Sequence, residues 1–114
     1  MNKSITIILC PVGQKAHTTT ILNDLASMQK LVSGYIEAVT LPNGLILICN
    51  EEGLIRDLPP NRNMNAFRLK IVGNFRIAGD FFVCTADRAG EFQSVPDALI
   101  PDLIDKLNSP DVML

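Results

Sequence analysis

The stretch Tyr35-Ile36-Glu37-Ala38-Val39-Thr40-Leu41-Pro42-Asn43-Gly44-Leu45-Ile46-Leu47-Ile48-Cys49-Asn50 decides the fold. Two β-rich runs, residues 35–41 and 44–50, are joined by Pro42-Asn43. Asparagine and glycine tolerate the positive φ of a tight reversal, so Asn43-Gly44 predicts a hairpin between them. On the N-terminal side, Asn23 stands where it can cap a helix over about Asp24 to Ser33. Leu25, Met28, Leu31 and Val32 recur there at intervals of three and four, and Gly34 occupies the position of a C-terminal helix glycine. Before it, the near-continuous apolar run Ser4–Cys10 reads as a strand buried on both faces, ended by Pro11 and Gly13. The threonine-rich segment Ala16–Ile21 is expected to form a hairpin with that strand.

On the C-terminal side, Glu51-Glu52-Gly53 reads as a turn. The prolines and asparagines of residues 58–65 argue against any regular element there. Strand character returns over Arg68–Val72 and Arg76–Thr85, and residues 86–90 turn into a short strand, Glu91–Ser94. Ser94 is placed to cap a last helix with Leu99, Leu103, Ile104 and Leu107 on one face, its regular part starting late because of Pro101. Strands outnumber helices and are joined mostly by short turns. The expectation is one α+β domain over residues 1–114, a curved, mostly antiparallel sheet with two helices.

Composition narrows the function classes. The 114 residues are 47% hydrophobic and 19% charged, with a mean hydropathy of +0.24, which suits a folded domain rather than a disordered one. The longest apolar stretch, Leu45–Cys49, is a strand's length, far below the roughly 18 residues of a membrane span. The N-terminal run is too short for a secretion signal, so a cytoplasmic protein is expected. Cys10, Cys49 and Cys84 are widely spaced among apolar neighbours and read as buried, unpaired thiols of a reducing compartment.

Chemistry-bearing residues are few. His17 is the single histidine, and no HExxH, CxxC, GxGxxG or phosphate-loop pattern occurs. Glu51-Glu52 is the one carboxylate pair that resembles an acid–base site, but neighbours in an extended chain point to opposite faces. A small hydrolase using Glu51 or His17 is therefore the weakest of the functional readings. Charge is more informative. Residues 1–55 carry three lysines against four acids, whereas residues 56–76 carry Arg56, Arg62, Arg68, Lys70 and Arg76 against Asp57 alone. Residues 77–114 carry seven acids against Arg88 and Lys106, which leaves the whole chain at −2. Arginine forks suit phosphate and carboxylate groups, so the middle segment points to a small anionic ligand. Pairing of the same arginines with the acidic C-terminal helix is the competing reading. A pI near 5.2 and an aromatic content of 5% without tryptophan disfavour duplex nucleic acid.

The runs Gly34-Tyr35-Ile36-Glu37, Leu41-Pro42-Asn43-Gly44-Leu45, Cys49-Asn50-Glu51-Glu52-Gly53 and Leu58-Pro59-Pro60-Asn61-Arg62 together resemble the domain of unknown function numbered 3846. Ile71-Val72-Gly73-Asn74-Phe75 and Gly90-Glu91-Phe92 fit its second half, so the resemblance covers roughly residues 20 to 105. It implies a small protein carried by bacteria, phages and other mobile elements, and supplies no catalytic role. The expectation is a non-enzymatic binding protein that sequesters a small anionic, nucleotide-derived molecule, such as a host-defence signal. Its ligand residues are expected to be Asn50, Glu51, Asn61, Arg62, Arg68 and Arg76, with no metal or cofactor. A homo-oligomer is expected, since so small a chain offers little surface to enclose a ligand. The alternative is an inhibitor that blocks a host protein surface, its acidic C-terminal segment mimicking nucleic acid. Within this scheme Arg62 is expected to be displayed by an irregular loop, either to the ligand or to Glu51 or Glu52.

Overall fold

The computed structural model describes residues 3–53, 56–67 and 76–114. Ser4–Cys10 (β1) and His17–Leu22 (β2) form an antiparallel hairpin, Leu25–Val32 (α1) follows, and Ile36–Thr40 (β3) and Leu45–Asn50 (β4) form a second hairpin. Pro60–Asn63 (β5), Arg76–Ala78 (β6), Phe81–Ala86 (β7), Phe92–Gln93 (β8) and Ile100–Leu107 (α2) complete the order. The main sheet runs β2-β1-β7-β4-β3 with β8 beside β7, while β5 and β6 pair separately. Every one of these pairings is antiparallel. The chain is thus an α+β fold, with a mostly antiparallel sheet and two α-helices among the described residues. Asn43 (φ 65°) and Gly44 (φ 76°) both take the positive φ that the hairpin required.

The central strands are covered on both faces, which is why β1, β4 and β7 read as near-continuous apolar runs. Ile5, Ile7, Ile48, Phe82 and Cys84 pack against Met28 and Val32 of α1. Ile8, Cys10, Leu47, Cys49, Phe81 and Val83, one residue out of step, face Leu103 and Leu107 of α2 together with Met64, Phe67 and Ile77. The alternation follows from the period of two along a strand. The main sheet is the middle layer of three.

Several local expectations are corrected. Asp24, not Asn23, caps α1, its carboxylate accepting from Ser27 N–H at 2.7 Å. Asn23 Nδ2 instead donates to Phe92 O at 2.8 Å, tying the helix entry to β8. The left-handed residue ending α1 is Ser33 (φ 62°), one position before Gly34. The Pro-rich segment is not wholly irregular, since β5 begins at Pro60, where a missing N–H is tolerated, and carries a bulge between Pro60 and Arg62. The single strand expected over Arg76–Thr85 is two, broken at Gly79 (φ 80°) and placed in different sheets. Ser94 does not cap the last helix, because its Oγ accepts from Thr6 N–H at 2.9 Å and so fastens the end of β8 to β1. Pro101 does sit in the first turn of α2, as its position suggested. The strand expected over Arg68–Val72 lies outside the described residues. No helix among the described residues is long and apolar enough to cross a membrane.

Candidate functional site

Two polar centres contain the family-like residues, and they differ in kind. The first is buried. Asn61 and Arg62 both show 0% exposure. Asn61 Nδ2 donates to Cys10 O at 2.7 Å and to Gly79 O at 2.8 Å, holding β5 against the end of β1 and the β6–β7 break. Arg62 donates from Nε to Leu107 O at 2.9 Å, from Nη2 to Gln14 O at 2.6 Å, and from Nη1 to the Asn61 amide oxygen. Those acceptors are neutral oxygens. The negative C-terminal end of α2 supplies one of them, a favourable place for a cation. The segment after α2 closes the centre, with Asn63 N–H donating to Val112 O at 2.8 Å and Leu114 N–H to Asn61 O at 3.2 Å. Burial holds the Arg62 guanidinium below the usual arginine range, although arginine stays protonated in proteins. Burial also pushes the Cys10 thiol up to about 12, against the pull of nearby Arg62. No buried side-chain nitrogen or oxygen among the described residues lacks a hydrogen bond.

The second centre is open. A cleft of about 310 Å³ lies where α1 ends, β3 begins and β4 turns away, lined by Gln29, Gly34, Tyr35, Asn50, Glu52 and Arg56. Asn50 is its buried keystone at 5% exposure. Its Nδ2 donates to Val32 O at 2.9 Å, and its Oδ1 accepts from Glu52 N–H at 2.8 Å. One side chain thereby satisfies an orphan carbonyl at the helix end and sets the turn after β4. Arg56 Nη1 donates to Ser33 O at 3.1 Å, a second tether on the same helix end, while its N–H donates to Glu52 O at 2.8 Å. Gly34 is required by these approaches rather than by its own φ. A Cβ there would lie 2.7 Å from Asn50 Nδ2 and 3.0 Å from Arg56 Nη1. Tyr35, its backbone held by Glu51 N–H donating to Tyr35 O at 2.9 Å, leaves its side chain 68% exposed at the rim.

The structure therefore distributes the expected ligand residues rather than gathering them. Asn50 builds the cleft, but Glu52 and not Glu51 lines it; Glu51 is exposed beside it. Asn61 and Arg62 are in the buried centre, with every Arg62 nitrogen already donating, so neither is displayed to a ligand. The expected pairing of Arg62 with Glu51 or Glu52 is replaced by the carbonyl contacts above. Arg76 is exposed in a different cleft of about 300 Å³ beside Leu58, Pro59 and Pro60. Arg68 lies outside the described residues. His17 is exposed on edge strand β2, its Nδ1 within 3.2 Å of Lys15 O. No cluster of three His, Cys, Asp or Glu residues suited to a metal ion occurs among the described residues.

A family model described as domain of unknown function (DUF3846) matches residues 5–108. The chain belongs to that family. The DUF3846 match takes in β1 and the whole of α2, more at both ends than the motif-bearing core suggests. No curated protein and no solved structure matches the chain. Within DUF3846 terms, Asn50 caps α1 and Gly53 lets the turn approach β6, where a Cβ would lie 2.9 Å from Ala78 O. Asn61 and Arg62 knit the core. Those motif residues hold the scaffold, and the cleft groups Gln29, Tyr35, Glu52 and Arg56 stand on it. None of these four stood among the ligand residues expected from sequence, although Arg56 belongs to the basic middle segment. Tyr35 is distinctive in the sequence as the only tyrosine, placed directly after a glycine.

Proposed function

We propose that this protein binds a small nucleotide-class molecule in the cleft between Tyr35 and Arg56, holding it stoichiometrically and leaving it chemically unchanged. The observation that carries this reading is a largely exposed aromatic ring at the rim of a pre-formed cleft that also contains an arginine fixed by its neighbours. An aromatic face stacks on any base. A guanidinium makes charge-assisted bonds to phosphate, and Arg56 takes here the role that sequence alone assigned to Arg62. The cleft volume is at the small end of ligand sites, which suits a mononucleotide-sized occupant. A phage- or mobile-element-borne protein of this kind would keep a nucleotide-derived signal from its receptor.

Calorimetric titration of a panel of nucleoside mono- and diphosphates and cyclic nucleotides tests the reading. Tyr35→Ala is expected to weaken binding by about 1–3 kcal/mol and Arg56→Ala by about 1.5–3 kcal/mol, with each ligand recovered intact after incubation. Absence of heat with every member of the panel, or affinities indifferent to both substitutions, overturns it.

A further inference from the structure

The cleft has an asymmetry that goes beyond holding a nucleotide. The C-terminal end of α1 abuts it, and the Val32 and Ser33 carbonyls there are already taken by Asn50 Nδ2 and Arg56 Nη1, two residues that line the cleft. Beside it stands Glu52, exposed at its side chain and fixed at its backbone on both sides, by Asn50 Oδ1 at 2.8 Å and by Arg56 N–H at 2.8 Å. Its carboxylate is an acceptor only. Arg56 alone supplies positive charge among the described lining residues. The cleft thus offers the Glu52 carboxylate as an acceptor and, among its described lining residues, a single cation for an anionic group.

Resting on the nucleotide reading above, we infer that the cleft selects guanine nucleotides, with Glu52 accepting from the base and Arg56 facing the phosphate. Guanine presents two adjacent donors, N1–H and N2–H, on one edge, which a carboxylate accepts in parallel as charge-assisted bonds. Adenine and cytosine each place an acceptor nitrogen beside their amino group, and uracil flanks its one N–H with two carbonyls. Each of those edges turns a lone pair toward the carboxylate, an interaction that costs free energy. Stacking on Tyr35 does not distinguish the bases, so the discrimination falls to Glu52. A two-point contact of this kind discriminates by about one to two decades in affinity.

The test titrates GMP, IMP, AMP, CMP and UMP into the wild type and into Glu52→Gln, with melting curves of both proteins as the fold control. GMP is expected to bind about ten- to hundredfold more tightly than AMP. IMP, which keeps N1–H and lacks the N2 amine, is expected to fall between them. In Glu52→Gln the GMP-to-AMP ratio is expected to approach one, because an amide turns a donor toward one of the two guanine donors. Comparable affinities for all five nucleotides in the wild type overturn guanine selection and leave the cleft reading standing. A GMP preference that survives Glu52→Gln removes Glu52 from the contact and overturns the inference as well. Failure of all five to bind overturns guanine selection, and the cleft reading falls with it when the diphosphates and cyclic nucleotides of the wider panel give no heat either.

Discussion

A guanidinium with no exposed surface must find acceptors inside the protein, and Arg62 finds them on β5, on the loop after β1 and at the end of α2. Removing it leaves buried carbonyls unsatisfied, and each such group costs roughly 1–3 kcal/mol. Arg62→Ala is accordingly expected to lose roughly 3 kcal/mol or more of stability, a large share for a domain of this size. Arg62→Lys is expected to recover little, since an ammonium lacks the planar fork that reaches three acceptors at once. Urea midpoints of the variants check this; an unchanged midpoint in Arg62→Ala would return Arg62 to the ligand-binding set. Gly34 makes a complementary case. Its hypothetical Cβ collides with Asn50, which is anchored at both ends and cannot retreat without releasing Val32 O or Glu52 N–H. Gly34→Ala is expected to cost on the order of 1–3 kcal/mol by overpacking and to weaken ligand binding as the cleft wall shifts. A melting temperature within a degree or so of wild type, on the usual scale of several degrees per kcal/mol, would show that Asn50 adjusts more freely than its hydrogen bonds indicate.

Elements whose conformation is set locally were legible in the sequence, and those set by tertiary contact were not. Asn43-Gly44 announces its turn because positive φ is a property of those residues. The alternating core of β1, β4 and β7 is likewise written in the hydrophobic pattern. By contrast, nothing local distinguishes Arg62 in an Asn-rich segment from a displayed ligand group, because its burial comes from α2 and the last residues of the chain, far away in sequence. The same holds for Ser94, a good cap in isolation that is drawn off by Thr6, 88 residues earlier. For the cleft, charge counting placed Arg56 and Arg62 alike in one basic segment, because it cannot tell an exposed arginine from a buried one. The strand expected over Arg76–Thr85 was misread for a single reason, Gly79. There the chain takes φ 80° and leaves the small β5–β6 sheet for the main one. A Cβ would also lie 2.8 Å from Leu58 Cδ1. Gly79→Ala is expected to cost at least about 1–2 kcal/mol, the usual penalty of a left-handed non-glycine residue. Thermal unfolding measures it, and an unaltered melting temperature would mean that this break tolerates a side chain.

At the scale of the whole molecule, the three central strands each carry one thiol: Cys10 in β1, Cys49 in β4 and Cys84 in β7, all buried and free. Burial pushes each of them from 9.0 up to about 12, with Glu37 adding to the effect at Cys49 and Arg62 opposing it at Cys10. Buried, protonated thiols are poor nucleophiles, so reaction with a thiol reagent is expected to proceed only as fast as the sheet opens. The shifts also tie stability to pH, with a definite sign. The folded-state value lies above the unfolded one, so below pH 9 both states hold the proton and the full stability is present. Between about pH 9 and 12 the unfolded chain releases protons that the folded chain keeps, and the balance moves toward unfolding as pH rises. Because β1, β7 and β4 are neighbours in one sheet, the three thiols are exposed by a single cooperative event and their effects accumulate. Lysine side chains titrate in the same range, so the decisive quantity is a difference between proteins that share them. Urea midpoints of the wild type and of the triple Cys→Ala variant are to be compared at increments from about pH 8 to pH 11. The variant starts less stable because it leaves three small cavities in the core. Its deficit is expected to shrink steadily above pH 9, as the wild type alone pays the proton-release penalty. A deficit that stays constant across that window, or labelling of any one thiol in the native state at the rate of a free cysteine, would show that a central strand opens to solvent without unfolding the sheet.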